Sequence, residues 1–135
     1  MTRVLVAGLG HMGMSHALAH HHLDASNIVG LVNRSAPDLP AELSTYPVFN
    51  SFDEGMKTKP DLVVIATYTD THADYACAAM NAGAHVFVEK PLAMNVADAK
   101  RVVETAKQTN RQLVVGYILR HHPSWVRLIE EARKL

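Results

Sequence analysis

Cysteine is nearly absent from this 135-residue chain: Cys77 stands alone. No internal disulfide can form and no multi-cysteine metal site can be assembled, which points to a reducing compartment. Flanked by alanines, Cys77 reads as a packing residue. Net charge is missing as well. Thirteen Lys and Arg balance thirteen Asp and Glu, with nine histidines counted neutral, so no general attraction to nucleic acid or to an anionic membrane surface is expected. Partner choice must come from a local site. The chain also lacks any apolar run of about 18 residues, and its amino terminus enters a strand at once, without a basic region, apolar stretch and cleavage site. A cytoplasmic protein is the expectation. Repeats, low-complexity tracts and linkers are absent too, and the length suits one compact domain with a core of its own.

What the chain does have is concentrated at its start. Residues Val4 to Gly13 read VLVAGLGHMG, an apolar strand running straight into Gly8-x-Gly10-x-x-Gly13. Gly8 permits a tight turn out of the strand, Gly10 lets the backbone approach phosphate oxygens, and Gly13 lets the next helix pack closely on the sheet. The helix start, with His11 and Met12, presents free N–H groups and a partial positive charge to an anion. Three spaced glycines alone are a weak signal, which a structural turn would also give. The strand before them and the apolar helical pattern after them make the dinucleotide cradle the better reading.

Strand and helix patterns then alternate. Arg3 to Ala7 leads to a helix from about Met12 to His22, and a second strand, Ile28 to Val32, follows the turn residues Asp24 to Asn27. A polar connection, Ser35 to Tyr46, precedes a short strand near Pro47 to Asn50 and a short helix after Ser51, whose cap is matched by Glu54 three residues on. Asp61 to Thr67 is a near-continuous apolar run, as a strand covered on both faces requires. A helix over Thr71 to Asn81 stops at Gly83, and a fifth strand covers Ala84 to Glu89. Asn95 caps a helix to Thr109 with Val96, Ala99, Val102, Val103 and Ala106 on one stripe. Gln112 to Gly116 forms a sixth strand, and Pro123 starts a last helix with Trp125, Leu128 and Ile129 on one face. This alternation predicts a doubly wound parallel α/β sheet of Rossmann type, in the order 3-2-1-4-5-6, with helices on both faces.

The end of the second strand bears on coenzyme choice. NAD sites usually place an acidic residue about 20 positions on, where it accepts from the ribose 2′-hydroxyl. Here Asn33-Arg34-Ser35 occupies that place, with Asn33 20 positions beyond Gly13. No carboxylate would repel a 2′-phosphate. Arg34 would pair with that phosphate or lie flat on the adenine, and Ser35 would donate a hydrogen bond. NADP is favoured over NAD, with a solvated turn cap as the bland alternative.

Past the fourth strand stands Thr67-Tyr68-Thr69-Asp70-Thr71-His72, and past the fifth Glu89-Lys90-Pro91-Leu92. Both lie outside the carboxyl ends of strands, where open α/β sheets bind ligands. Together with GLGHMG, the run AGAHVFVEKPLA and the segment YILRHHPSW, they resemble the Gfo/Idh/MocA family of NAD(P)-dependent sugar oxidoreductases, the glucose-fructose oxidoreductase and inositol dehydrogenase group. The similarity spans almost the whole chain. TYTDTH departs from it, standing where the family often has Thr-Pro and then His. The resemblance implies that Lys90 is catalytic and that Glu89 contacts the nicotinamide ribose. It implies also that Thr67 and Thr69 lie near the nicotinamide ribose and phosphates, and that Arg120 belongs to the family's Arg-x-x-Pro segment at the coenzyme. Chemically, a cation at the sheet edge can hydrogen-bond a substrate hydroxyl or carbonyl oxygen and stabilise charge that develops during hydride transfer. Pro91 would fix the backbone so that Glu89 and Lys90 both point into the cleft, and His72 would orient its loop. By residue type alone, Glu89 and Lys90 read as an exposed ion pair worth little, and His72 as an exposed helical histidine.

Nine histidines raise the question of a metal. His16 and His20 share one helical face, but neighbours such as His21 and His22, or His121 and His122, point in different directions, and no converging ligand set is expected. Family members are more than twice as long, their second domain supplying the substrate floor. The expectation is therefore an isolated coenzyme-binding domain, residues 1–135, of a sugar or polyol oxidoreductase, nearly inactive by itself. Two other readings stay open. One is a nucleotide-sensing or scaffold domain that dimerises through an apolar patch at Tyr117, Ile118, Leu119 and Trp125; core burial of these residues against the sheet is the ordinary alternative. The other is a methyltransferase-like nucleotide domain.

Overall fold

A computed structural model describes residues 1–135. The strands are β1 (Thr2–Ala7), β2 (Ser26–Val32), β3 (Val48–Phe49), β4 (Leu62–Ile65), β5 (His85–Val88) and β6 (Leu113–Val115), and the helices are α1 (His11–His21), α2 (Phe52–Met56), α3 (Thr69–Asn81), α4 (Val96–Thr109) and α5 (Pro123–Ala132). All six strands form one parallel sheet in the order β3-β2-β1-β4-β5-β6, as the alternation predicts. The chain winds outward from β1 to β3 on one side and from β4 to β6 on the other, and this switch between β1 and β4 opens a crevice at their carboxyl ends.

Side-chain alternation along the strands builds two cores. Leu5 and Ala7 of β1, Val63 and Ile65 of β4, and Val86 and Val88 of β5 face one side, against Phe52 of α2, five side chains of α3 and Val102 of α4. Val4, Val6 and Val64 face the other, with Ala17 of α1 and Leu43. In β2 a bulge interrupts the period. Val4 pairs with Ile28 but Leu5 with Gly30, so Ile28 and Leu31, three apart, lie on the same face. Cys77 is buried in the first core.

The predicted caps are present. Ser51 accepts from the Glu54 amide and Asn95 from the Asp98 amide. Helix α3 starts two residues earlier than the alanine spacing suggests, because Tyr68 takes the extended cap conformation and Thr71 turns its hydroxyl back to the Tyr68 carbonyl. Helix α5 contains no buried residue. Tyr117, Ile118, Leu119 and Trp125 are all about half exposed, so they are not packed against the sheet as core. No helix is long and apolar enough to cross a membrane.

Candidate coenzyme site

The turn from β1 into α1 is pressed against the exit of β4. Gly8 has φ +87°, and a Cβ there would lie 2.5 Å from the Ala66 carbonyl oxygen, so both its conformation and its contacts demand glycine. At Gly13 a Cβ would come within 1.7 Å of the Gly8 carbonyl oxygen. Gly10 differs: a Cβ there would meet nothing within 4 Å. Gly10 caps α1 without a side-chain hydrogen bond, and the first turn, His11 to Gly13, holds no acidic residue. Unclaimed amides therefore face open space at the positive end of the helix, an arrangement that fits a diphosphate.

Beside this turn lies a cavity of about 460 Å³. Gly8, Leu9 and Gly10 line one end. Asn33, Arg34 and Ser35 from the end of β2, Asn50 past β3, Phe52 of α2, Thr67 and Tyr68 past β4, and Thr71 and Tyr75 of α3 complete it, with Val32 and Ala66. No carboxylate is among these residues, and Arg34 carries the one formal charge. Its guanidinium sits 5.4 Å from the Tyr68 ring centroid, a cation–π geometry. Phe52 and Tyr75 stack face to face, centroids 4.0 Å apart at 6°. The Asn33 side chain bonds to main chain on two sides, its Oδ1 accepting from the Leu9 amide at 3.2 Å and its Nδ2 donating to the Ser35 carbonyl at 2.9 Å. It thereby ties the glycine turn to the end of β2. A pocket with aromatic walls, one guanidinium and free helix amides suits a flat heteroaromatic ring joined to phosphates.

The structure thus brings Gly8, Gly10, Asn33, Arg34, Ser35 and Thr67 to one cavity, with His11, Met12 and Gly13 on the adjoining helix turn. Leu9, Asn50, Phe52, Tyr68, Thr71 and Tyr75 line it too, although motif and spacing assign them no role. Tyr68 and Thr71 lie inside the TYTDTH segment, whose position past a strand is the available signal. Asn50, Phe52 and Tyr75 have none. Thr69 opens α3 without lining the cavity.

Glu89 departs from expectation. It is 7 % exposed and so is not half of an exposed pair with Lys90. Its carboxylate meets His16 of α1 at 2.8 Å. Lys90, one residue on, is exposed, and the Lys90–Pro91 peptide is cis. His72 is buried rather than exposed, with Nδ1 2.8 Å from the Pro91 carbonyl oxygen and Nε2 3.1 Å from that of Thr67. Arg120 lies in a short 3-10 turn, 6.0 Å from the Tyr117 ring, and is not among the residues lining the cavity. The α1 histidines serve separate partners: His20 bonds Ser26, and His21 bonds Tyr46.

Comparison with known proteins agrees with this geometry. The pattern of the Gfo/Idh/MocA family, described as an oxidoreductase family with an NAD-binding Rossmann fold, matches residues 2–117. A 4-carboxy-2-hydroxymuconate-6-semialdehyde dehydrogenase of Sphingobium sp. is 34 % identical over 126 residues, covering 90 % of this chain and 40 % of the relative. Inositol 2-dehydrogenase of Salmonella paratyphi B is 30 % identical over 131 residues, covering 91 % and 39 %. Among solved structures, UDP-N-acetylglucosamine 3-dehydrogenase from Acidithiobacillus ferrooxidans superposes with a TM-score of 0.83 at 30 % identity, over 96 % of this chain and 43 % of that one. The chain spans about 40 % of the length of these two curated relatives. With a glycine turn, a switch-point cavity and a family pattern over residues 2–117, the chain belongs to the Gfo/Idh/MocA oxidoreductase family through its NAD-binding Rossmann fold.

Proposed function

We propose that this chain is the coenzyme-binding part of an oxidoreductase that moves hydride between a nicotinamide coenzyme and a carbohydrate hydroxyl or carbonyl, and that it prefers NADP to NAD. The observation that carries the preference is the composition of the cavity: Arg34 is its one charged residue and no carboxylate lines it. A ribose 2′-phosphate would meet a guanidinium and the Ser35 hydroxyl there instead of a repelling anion. The named activities of two of the three relatives, on inositol and on UDP-N-acetylglucosamine, support a sugar or polyol substrate.

In this reading the bound coenzyme supplies the hydride acceptor or donor. The amides at the start of α1 hold its diphosphate, and the aromatic walls take the adenosine. Lys90 stands exposed at the carboxyl end of β5, able to hydrogen-bond the substrate oxygen whose charge changes during transfer. Such transfer needs substrate held at near-attack distance with water excluded. With Lys90 open to solvent, these 135 residues alone are proposed to bind coenzyme but to turn over far below about 1 per second. The test is calorimetric titration with both coenzymes. NADP is expected to bind more tightly than NAD, and Arg34→Ala to weaken NADP by roughly tenfold while changing NAD little, the loss of one charge-assisted contact. Tighter NAD binding in the unaltered chain refutes the preference.

A second reading draws on the exposed Tyr117, Ile118, Leu119 and Trp125: a nucleotide-binding domain that pairs with a second copy through this patch. It is compatible with coenzyme binding and separable from it by measurement of mass in solution.

A further inference from the structure

Glu89-Lys90-Pro91 leaves β5 with a histidine on each flank of the lysine. On one side is His16 of α1. Its Nε2–H donates to Glu89 Oε1 at 2.8 Å, and its ring stands edge-on to Phe87, centroids 4.9 Å apart. The Glu89 carboxyl group occupies the space over Gly116, where a Cβ would fall 3.0 Å from Oε2. On the other side is His72 of α3, 1 % exposed, its two nitrogens turned to the main-chain carbonyls of Pro91 and Thr67. Lys90 alone of the tripeptide's side chains carries charge into solvent. Burying a carboxylate or an imidazole is costly unless the group is bonded. Here both bonds converge on the residues before and after the same lysine.

We propose that His16 and His72 are positioning residues that hold the neighbours of Lys90, His16 through the Glu89 carboxylate and His72 through the Pro91 carbonyl, and so aim its ammonium group, without themselves touching coenzyme or substrate. The role of His16 couples the diphosphate-binding helix to the exit of β5. That of His72 couples the β4 exit, at Thr67, to Pro91. The clamp deepens the proposed function, since it rests on Lys90 as the residue facing the reacting oxygen.

The test observes Lys90 directly. Reductive methylation with 13C-formaldehyde places a reporter on all six lysines, and Lys90→Arg assigns one signal. In the unaltered protein Lys90 is expected to give a resonance distinct from those of exposed Lys57 and Lys134. His16→Ala is expected to collapse that distinction and leave the other five signals in place, whereas His16→Gln, whose amide nitrogen reaches the place of Nε2, restores it. His72→Asn keeps a donor where Nδ1 stood, toward Pro91, and His72→Gln keeps one where Nε2 stood, toward Thr67. The clamp predicts a Lys90 signal near that of the unaltered protein in the first and a displaced one in the second. Should His16→Ala fail to fold, this pair of amide variants decides. A Lys90 signal that is unremarkable from the start, that is equal in His72→Asn and His72→Gln, or that moves only when all six lysines move together, overturns the proposal. Coenzyme titration of the same samples separates the two ideas: no binding with a responsive Lys90 defeats the function and spares the clamp, and binding with an indifferent Lys90 does the reverse.

Discussion

Gly10 and Gly13 stand three positions apart in one motif and answer to different constraints. Gly13 is required by the protein itself, because a Cβ there would enter the Gly8 carbonyl. Gly13→Ala is expected to destabilise the fold by about 3 kcal/mol, the range of severe overpacking, as measured by urea unfolding. Gly10 has open space before it. Gly10→Ala is expected to leave stability within about 0.5 kcal/mol while weakening coenzyme at least about tenfold, roughly 1.4 kcal/mol, since its methyl group would occupy the diphosphate's place. Equal behaviour of the two variants in both assays would contradict this division. The glycines were legible in the sequence because their spacing is local. The partner of Glu89 was not: His16 lies 73 positions away, and only the parallel pairing of β1, β4 and β5 brings helix and strand end together. The Asn33 side chain is a similar case, read as part of a phosphate site and found bracing the glycine turn through Leu9.

At the scale of elements, strand and helix order followed from hydrophobic period and caps, because burial on both faces of the sheet leaves a continuous apolar signature. What period does not show is exact onset, hence the earlier start of α3 and the bulge in β2. Helix α1 carries a titration that ties its packing to pH. Burial, and then the nearby His16, hold the His20 imidazole below its ordinary value of 6.5. The unfolded chain therefore takes up this proton first as pH falls. The stability linked to neutral His20 is fully present above 6.5 and is lost progressively as pH falls from there through the folded value. Thermal unfolding of the parent between about pH 7.5 and pH 5.5 is expected to show a decline that His20→Gln makes shallower. An identical slope in the two proteins would show that His20 contributes nothing to it.

At the scale of the molecule, the sheet's carboxyl edge collects the cavity and Lys90, while α5 and the turn before it present Tyr117, Ile118, Leu119, Trp125 and Leu128, each 45–60 % exposed. An amphipathic pattern in α5 was legible; that nothing in these 135 residues covers its apolar side was not, because a stripe of apolar residues reads the same whether or not a surface lies against it. If the patch drives pairing, light scattering across a hundredfold concentration range is expected to show mass rising toward twice 14.8 kDa, and Trp125→Glu to return it to the monomer value. A concentration-independent monomer removes the pairing reading and leaves coenzyme binding untouched. The measurement that bears most directly on the whole account is an amide-resolved NMR titration with NADP. Saturable shifts are expected at the amides of Leu9 through Gly13 together with those of Arg34 and Ser35. Shifts confined elsewhere, or none at millimolar coenzyme, would contradict it.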